Sequence, residues 1–243
     1  MVYRIPTQIP GFDELIEGGL PVGSIVLLAG NAGSGKTLFS SHLINANAKH
    51  GRSLYCGFFE KKEHFIDNAE KFGLSFKKLL EEGKLEISEF FPILEEGMTM
   101  LVSAIEADIQ RIKPSLLIID SVSTLTGDVK GRQEVRMLLK MIDQITKSQN
   151  ITVILVTELP LNVNVVGFGV EEFMADSIIM LRYVEVDGMI KRCLAIMKMR
   201  ETSHDMNIHE YVIESDGMHV KDRLRGVDGL MITSSKVRQD YSE

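Results

Sequence analysis

Gly30-Asn31-Ala32-Gly33-Ser34-Gly35-Lys36-Thr37 follows directly on Ile25-Val26-Leu27-Leu28-Ala29 and runs into a helix-patterned stretch from Leu38 to Lys49. The octet fits G-x-x-x-x-G-K-[ST], and the apolar run ahead of it reads as a buried strand. Glycines in such a loop let backbone N–H groups wrap a polyphosphate, and the helix opening near Lys36 aims its positive end at that charge. Asn31, Ala32, Gly33, Ser34, Gly35, Lys36, Thr37 and Leu38 are therefore the expected nucleotide-binding residues. Lys36 is expected on the β- and γ-phosphates, and the Thr37 hydroxyl on a Mg²⁺ ion.

Working outward, the helix from Leu38 ends at Gly51, and Ser53 to Phe59 reads as a second strand finishing at Glu60. His64 to Phe72 has helical spacing, Leu85-Glu86-Ile87 is a short strand, and Met98 to Lys113 is a helix closed by Pro114. Leu116-Leu117-Ile118-Ile119-Asp120 is a central parallel strand that delivers an acid to the C-terminal edge of a sheet. Asp120 is the expected Mg²⁺-holding carboxylate, because hydrated Mg²⁺ takes few carboxylates alongside phosphate oxygens. A helix over about Arg132 to Lys147 places Val135, Leu138, Leu139, Ile142 and Ile145 on one face, and Ile151 to Thr157 is the next buried strand. After Ser177 the pattern changes to strands joined by Asp187-Gly188 and Asp216-Gly217, both tight-hairpin signals. The expected fold is α/β, with a mostly parallel central sheet flanked by helices and a C-terminal antiparallel extension.

The chain has 243 residues, 44% of them hydrophobic, and lacks polar or Pro/Ser-rich tracts that would divide it. Residues 1–224 read as one domain and 225–243 as a tail, either mobile or extending onto a neighbouring subunit. A formal charge of -7 and a pI near 5.5 speak against bulk electrostatic binding of nucleic acid. Cys56 and Cys193 lie in apolar runs and read as free core thiols, which favours a reducing cytoplasm. The N-terminus lacks a signal-peptide core, and no stretch approaches the roughly 20 apolar residues of a membrane span, so a cytoplasmic, membrane-free protein is expected.

These segments resemble the RecA-like ATPases, and within them the KaiC-like branch, over nearly the whole chain. The lead-in Pro10-Gly11-Phe12-Asp13-Glu14-Leu15 and Gly18-Gly19-Leu20-Pro21-Val22-Gly23 is similar to what those proteins carry before the loop. Gly169-Val170-Glu171-Glu172-Phe173-Met174-Ala175-Asp176, Lys198-Met199-Arg200 and His204 are similar to further family segments. The resemblance implies a RecA-type core assembled as a homo-oligomeric ring, commonly a hexamer, with ATP between neighbouring subunits. It implies Glu60 as the acid that polarises the attacking water, which agrees with a carboxylate at a strand's C-terminal end. Typical relatives pair two glutamates here, whereas this chain reads Phe59-Glu60-Lys61. Lys198 and Arg200, alternating about Met199 on a strand, are implied to act on a neighbour's triphosphate like an arginine finger. Glu158 reads either as a γ-phosphate sensor or as a loop-entry acid, and His204 either as a nucleotide or interface contact or as a surface histidine.

The leading expectation is thus a Mg²⁺-dependent ATPase, with Glu60, Lys36, Lys198 and Arg200 as its catalytic groups and a protein partner of unstated identity. A nucleotide-gated scaffold with little hydrolysis is the alternative that Lys61 favours. A recombinase-like DNA-binding ATPase is the other, with Lys130, Arg132 and Arg136 as its candidate basic patch; Glu158 through Leu181 contains no Lys or Arg, which opposes it. No guanine-reading Asn-Lys-x-Asp occurs. Glu172-Phe173 stands where an autophosphorylated Ser-Thr pair of the clock relatives would align, so no phosphorylation is expected there.

Overall fold

The computed structural model describes residues 2–58, 60–90, 97–125, 139–145, 147–159 and 174–225. The P-loop strand β3 (Ile25–Gly30) is buried at every residue because helices cover both of its faces. Val26 and Leu28 join one hydrophobic cluster with Leu38, Phe39, Leu43 and Ile44 of α1 (Lys36–Asn47). Ile25 and Leu27 join the other with Ile105, Ile109 and Ile112 of α4 (Gly97–Ile112) and with Leu139 and Ile142. Alternation at period two thus divides one strand between two cores.

The order along the chain begins with a two-residue antiparallel pair, β1 (Arg4–Ile5) and β2 (Leu20–Pro21). After α1 come β4 (Ser53–Gly57), α2 (Lys62–Lys71), α3 (Phe76–Glu81) and β5 (Leu85–Glu89). Beyond α4 lie β6 (Leu116–Asp120), β7 (Thr152–Glu158), β8 (Ser177–Val186), β9 (Met189–Met199), β10 (His209–Glu214) and β11 (Gly217–Arg223). Nine of these strands form one sheet in the order β11-β10-β9-β8-β3-β7-β6-β4-β5. From β8 to β5 all neighbours are parallel, and β9, β10 and β11 add on antiparallel. The expected α/β class, mostly parallel sheet and antiparallel C-terminal extension are the observed ones.

Asp187 and Gly188 both take positive φ, 51° and 74°, as the tight turn between β8 and β9 requires. The second hairpin turns at Ser215-Asp216, one residue ahead of the Asp-Gly pair the sequence marked, so that Gly217 opens β11 opposite Glu214, and β10 and β11 lie against the P-loop helix. Tyr211 donates its hydroxyl to the Ser34 carbonyl. His42 Nε2 on α1 accepts the Met218 N–H at 3.1 Å.

Several boundaries depart from the sequence pattern. The first helix starts at Lys36, because Gly35 at φ +90° turns the chain straight into it. The strand expected to reach Phe59 stops at Gly57, after which the Phe58 N–H donates to the Asp120 carbonyl and Phe90 to that of Gly57; Phe59 lies outside the described residues. The short α3 and the β1–β2 pair were not legible. Of the helix expected over 132–147, residues 139–145 and 147 are described and helical, while Val135 and Leu138 lie outside the described residues, as does the tail beyond Arg225. Cys56 and Cys193 are free and buried, and burial raises both thiol pKa values, Cys193 to about 11. Among the described residues, no helix is long and apolar enough to cross a membrane.

Candidate functional site

Parallel strands bring Gly30, Glu158, Asp120 and Gly57 to one edge of the sheet: Gly30 pairs with Glu158, and Gly57 with Asp120. Between β3 and α1, Gly33 and Gly35 take φ of +73° and +90°, which L side chains rarely adopt, and this curls the loop back over itself. Asn31 fixes the curl from inside: its Nδ2 donates to the Leu159 carbonyl at 3.0 Å, and its Oδ1 accepts the Tyr183 N–H. It is 2% exposed, so the side chain is a staple between β3, β7 and β8 rather than a group open to solvent. Ser34 is fully buried, its Oγ without a partner.

Lys36 is 7% exposed, and its Nζ donates to the carbonyls of Gly30 at 3.0 Å and Asn31 at 2.9 Å. Glu158 Oε1 stands 3.9 Å from the same nitrogen, on a side chain that is 59% exposed. Burial lowers the Lys36 pKa, against the opposing pull of Glu158 and Asp120. Thr37, one residue on, donates its hydroxyl to Asp120 Oδ2 at 3.0 Å. Tyr55 donates to the same oxygen, also at 3.0 Å. Burial raises the Asp120 pKa, against those two hydroxyls and the Lys36 charge.

These oxygens suit Mg²⁺. A threonine hydroxyl can keep its proton on Asp120 while giving a lone pair to a cation, and a hard ion prefers such oxygen donors with water and phosphate filling the remainder.

Glu60 lies three residues past the end of β4, in the approach to α2, rather than at the strand's last position. Its Oε1 accepts the Asn68 Nδ2–H at 2.9 Å. Burial raises its pKa and Asp120 adds to this, while Asn68 and His64 lower it. A cavity of about 290 Å³ opens beside it between Thr37, Leu38 and Ser41 on α1 and Phe65, Asn68 and Phe72 on and just after α2.

Lys198 and Arg200 are not brought to this edge. Lys198 donates to the Ala175 carbonyl, and Arg200 pairs with Asp176 at 2.9 Å. Asp176 also accepts the N–H of Ile25, the first residue of β3. Asp176 sits at Ile25, five steps of β3 or about 16 Å from Gly30, and Lys198 pairs with Ile178 at the level of Leu27, three steps or about 10 Å from it. Arg200 also falls one residue beyond β9 instead of inside it. Its N–H donates to the Asp176 carbonyl, one step beyond the Ser177–Met199 pair. His204 Nδ1 contacts the Asp205 carbonyl. Lys130, Arg132, Arg136 and Glu172-Phe173 lie outside the described residues.

Tyr55, Asn31 as a staple, Tyr211 and His42 were missed as parts of the site. The pattern marks their strands and helix as core, and only the fold reveals that a polar tip reaches the loop or Asp120.

A glycine-rich loop between a buried strand and a helix, with an acid two strands away across β7, defines a RecA-like P-loop nucleotide-binding protein. The model of the KaiC ATPase family matches residues 5–225, and the chain belongs to that family. It is 31% identical over 229 residues to the circadian clock oscillator protein KaiC 1 of Synechocystis sp., covering 90% of this chain and 44% of that protein. With the circadian clock protein KaiC3 of the same organism it shares 32% identity over 238 residues, 94% of this chain and 45% of the relative. The chain therefore spans about half the length of these relatives. The crystal structure of a KaiC-like protein from Pyrococcus horikoshii OT3 superposes with a TM-score of 0.80 at 32% identity, over 91% of this chain and all of that one.

Proposed function

We propose that this chain is a Mg²⁺-dependent ATPase that works as a homo-oligomeric ring, six subunits being the expected number, with each ATP held where two subunits meet. The observation that carries this is the convergence of Lys36, Thr37 and Asp120 at one sheet edge with Glu60 beside them. The P-loop amides and Lys36 hold the phosphates, and Thr37 and Asp120 hold the cation. The bound Mg²⁺ supplies charge neutralisation to the β- and γ-phosphates. Glu60 orients a water and takes its proton as the oxygen attacks; its raised pKa makes it the better base for that step. Glu158, beside Lys36, reports whether the lysine has turned to a γ-phosphate.

Lys198 and Arg200 complete the site in trans. In their own subunit Lys198 is bonded to the Ala175 carbonyl and Arg200 to Asp176, toward the end of β3 away from the P-loop, which supports action on a neighbour's nucleotide rather than in cis. The same placement lets one subunit present them to the next.

Phosphate release from ATP, measured against protein concentration for the natural chain and Arg200→Ala, tests both halves. Turnover per subunit that rises with concentration, and collapses in the variant while ATP still binds, supports a shared-site ring. Concentration-independent turnover in both refutes the in-trans assignment. A second reading, a nucleotide-gated scaffold, is favoured by the Asn68 bond that ties up one Glu60 oxygen and by Lys61 next to it. Tight ATP binding with no turnover would select it, and turnover would be expected to appear in Lys61→Glu.

A further inference from the structure

We propose that Tyr55 is a positioning residue that sets the rotation of the Asp120 carboxylate for the cation-nucleotide complex; this rests on the Mg²⁺-ATP reading above. Tyr55 lies on β4 opposite Ile118, two residues short of the Gly57–Asp120 pair. To reach Asp120 its ring must lean along the strand by about 6–7 Å. Gly57 permits this: a Cβ at that position would lie 3.0 Å from Tyr55 Cε1, tighter than ordinary carbon contacts. The ring also stacks on Phe65, with centroids 3.9 Å apart and planes 16° apart. Phe65 is itself braced edge-on by Phe76 at 5.2 Å. The phenol therefore sits in a slot made by an absent side chain and an aromatic pair, and its hydroxyl ends 3.0 Å from Asp120 Oδ2.

Filling the core there requires only the ring. The hydroxyl is a separate feature, and in a residue 3% exposed it needs a partner. Asp120 gains a donor of a particular kind. Lysine or arginine in this position would neutralise the carboxylate, whereas a phenol and the Thr37 hydroxyl fix it by hydrogen bonds and leave its charge for a cation. With both hydroxyls on Oδ2, rotation of the carboxylate breaks two bonds at once. Removing one of them frees that rotation.

The test is ATP binding to the full chain, titrated with Mg²⁺ from an EDTA baseline and paired with thermal unfolding, for the natural chain, Tyr55→Phe and Gly57→Ala. Tyr55→Phe is expected to raise the half-saturating Mg²⁺ concentration about tenfold, the scale of one bond to a charged group. ATP affinity in EDTA should not change. Gly57→Ala displaces the ring while keeping the hydroxyl, and should shift the Mg²⁺ dependence in the same direction. An unshifted Mg²⁺ dependence in a folded Tyr55→Phe overturns the role of Tyr55 alone, as does an equal loss of ATP affinity with and without Mg²⁺. Failure of the natural chain to bind ATP under either condition overturns the nucleotide reading and this role with it.

Discussion

His42 makes folding stability depend on pH in a direction set by its packing. The ring is 7% exposed on α1, and Nε2 accepts the Met218 N–H, an acceptor role that a protonated imidazole cannot fill. Burial, then the nearby His219, lower its pKa from 6.5 to about 4, with Asp216 opposing. The folded state thus binds fewer protons than the unfolded chain between those values, so stability is greatest above pH 6.5 and is lost as pH falls toward about 4. Taken whole, the depression corresponds to about 3 kcal/mol. Asp216 and His219, the charges that face the ring, are 69% and 19% exposed, and solvent around them reduces the expected loss to about 1.5 kcal/mol. Other groups also titrate in this range, so the measurement is a difference. Urea unfolding of the natural chain and of His42→Gln, whose amide oxygen can still accept from Met218, would be compared at steps between pH 7.5 and 4.5. The gap between the two should change by about 1.5 kcal/mol in favour of the variant as pH falls, with equal slopes in urea. A gap constant to within about 0.3 kcal/mol would refute the claim that a neutral His42 holds the hairpin to the P-loop helix.

Further outcomes follow from the same geometry. Glu60→Gln should retain ATP binding while lowering phosphate release by about 10²-fold or more, and the acid limb of the natural chain's pH–rate profile should lie above the ordinary glutamate range because burial raises that pKa; equal turnover in the two proteins would remove Glu60 from the chemistry. Lys36→Ala should weaken ATP binding at least tenfold without lowering the melting temperature, since it removes a buried cation whose pKa is already depressed; calorimetry and a thermal melt check both parts. Gly217→Ala should cost about 2–4 kcal/mol, because φ of +124° is strained for alanine and its Cβ would overlap the His42 ring. Urea unfolding reads that loss, and a cost below about 1 kcal/mol would mean the hairpin gives way easily.

The phosphate loop, the strand ending at Asp120 and both hairpins were legible because each carries a local signal: glycine spacing, a run of four apolar residues closed by an acid, or an Asp-Gly turn. The six-residue α3 was not, because Phe76, Leu79 and Leu80 are too few to establish a period. Glu60 reads as a strand end because Phe58 and Phe59 continue the apolar run, whereas the regular strand stops at Gly57, three residues before it. Lys198 and Arg200 were readable as a cationic pair, but their remoteness from the P-loop depends on strand direction and register, which no short window contains. Tyr55 shows a different limit. Its spacing marks a core residue, and only the parallel pairing of β4 with β6 and the bare Cα of Gly57 reveal where its hydroxyl arrives.

The two carbonyl bonds of Lys36 bear on how the loop responds to a visitor. The ammonium is held by Gly30 and Asn31 of its own loop and faces Glu158 across 3.9 Å. A triphosphate that recruits this lysine therefore performs an exchange, and what is measured as affinity is the difference between two well-bonded arrangements. Such a loop discriminates by how completely a ligand replaces what it displaces. A short phosphate chain that reaches only part of the cradle leaves the lysine divided between its carbonyls and the newcomer, and release becomes correspondingly fast. Sensitivity to the third phosphate would then originate in a self-satisfied side chain at the mouth of the loop.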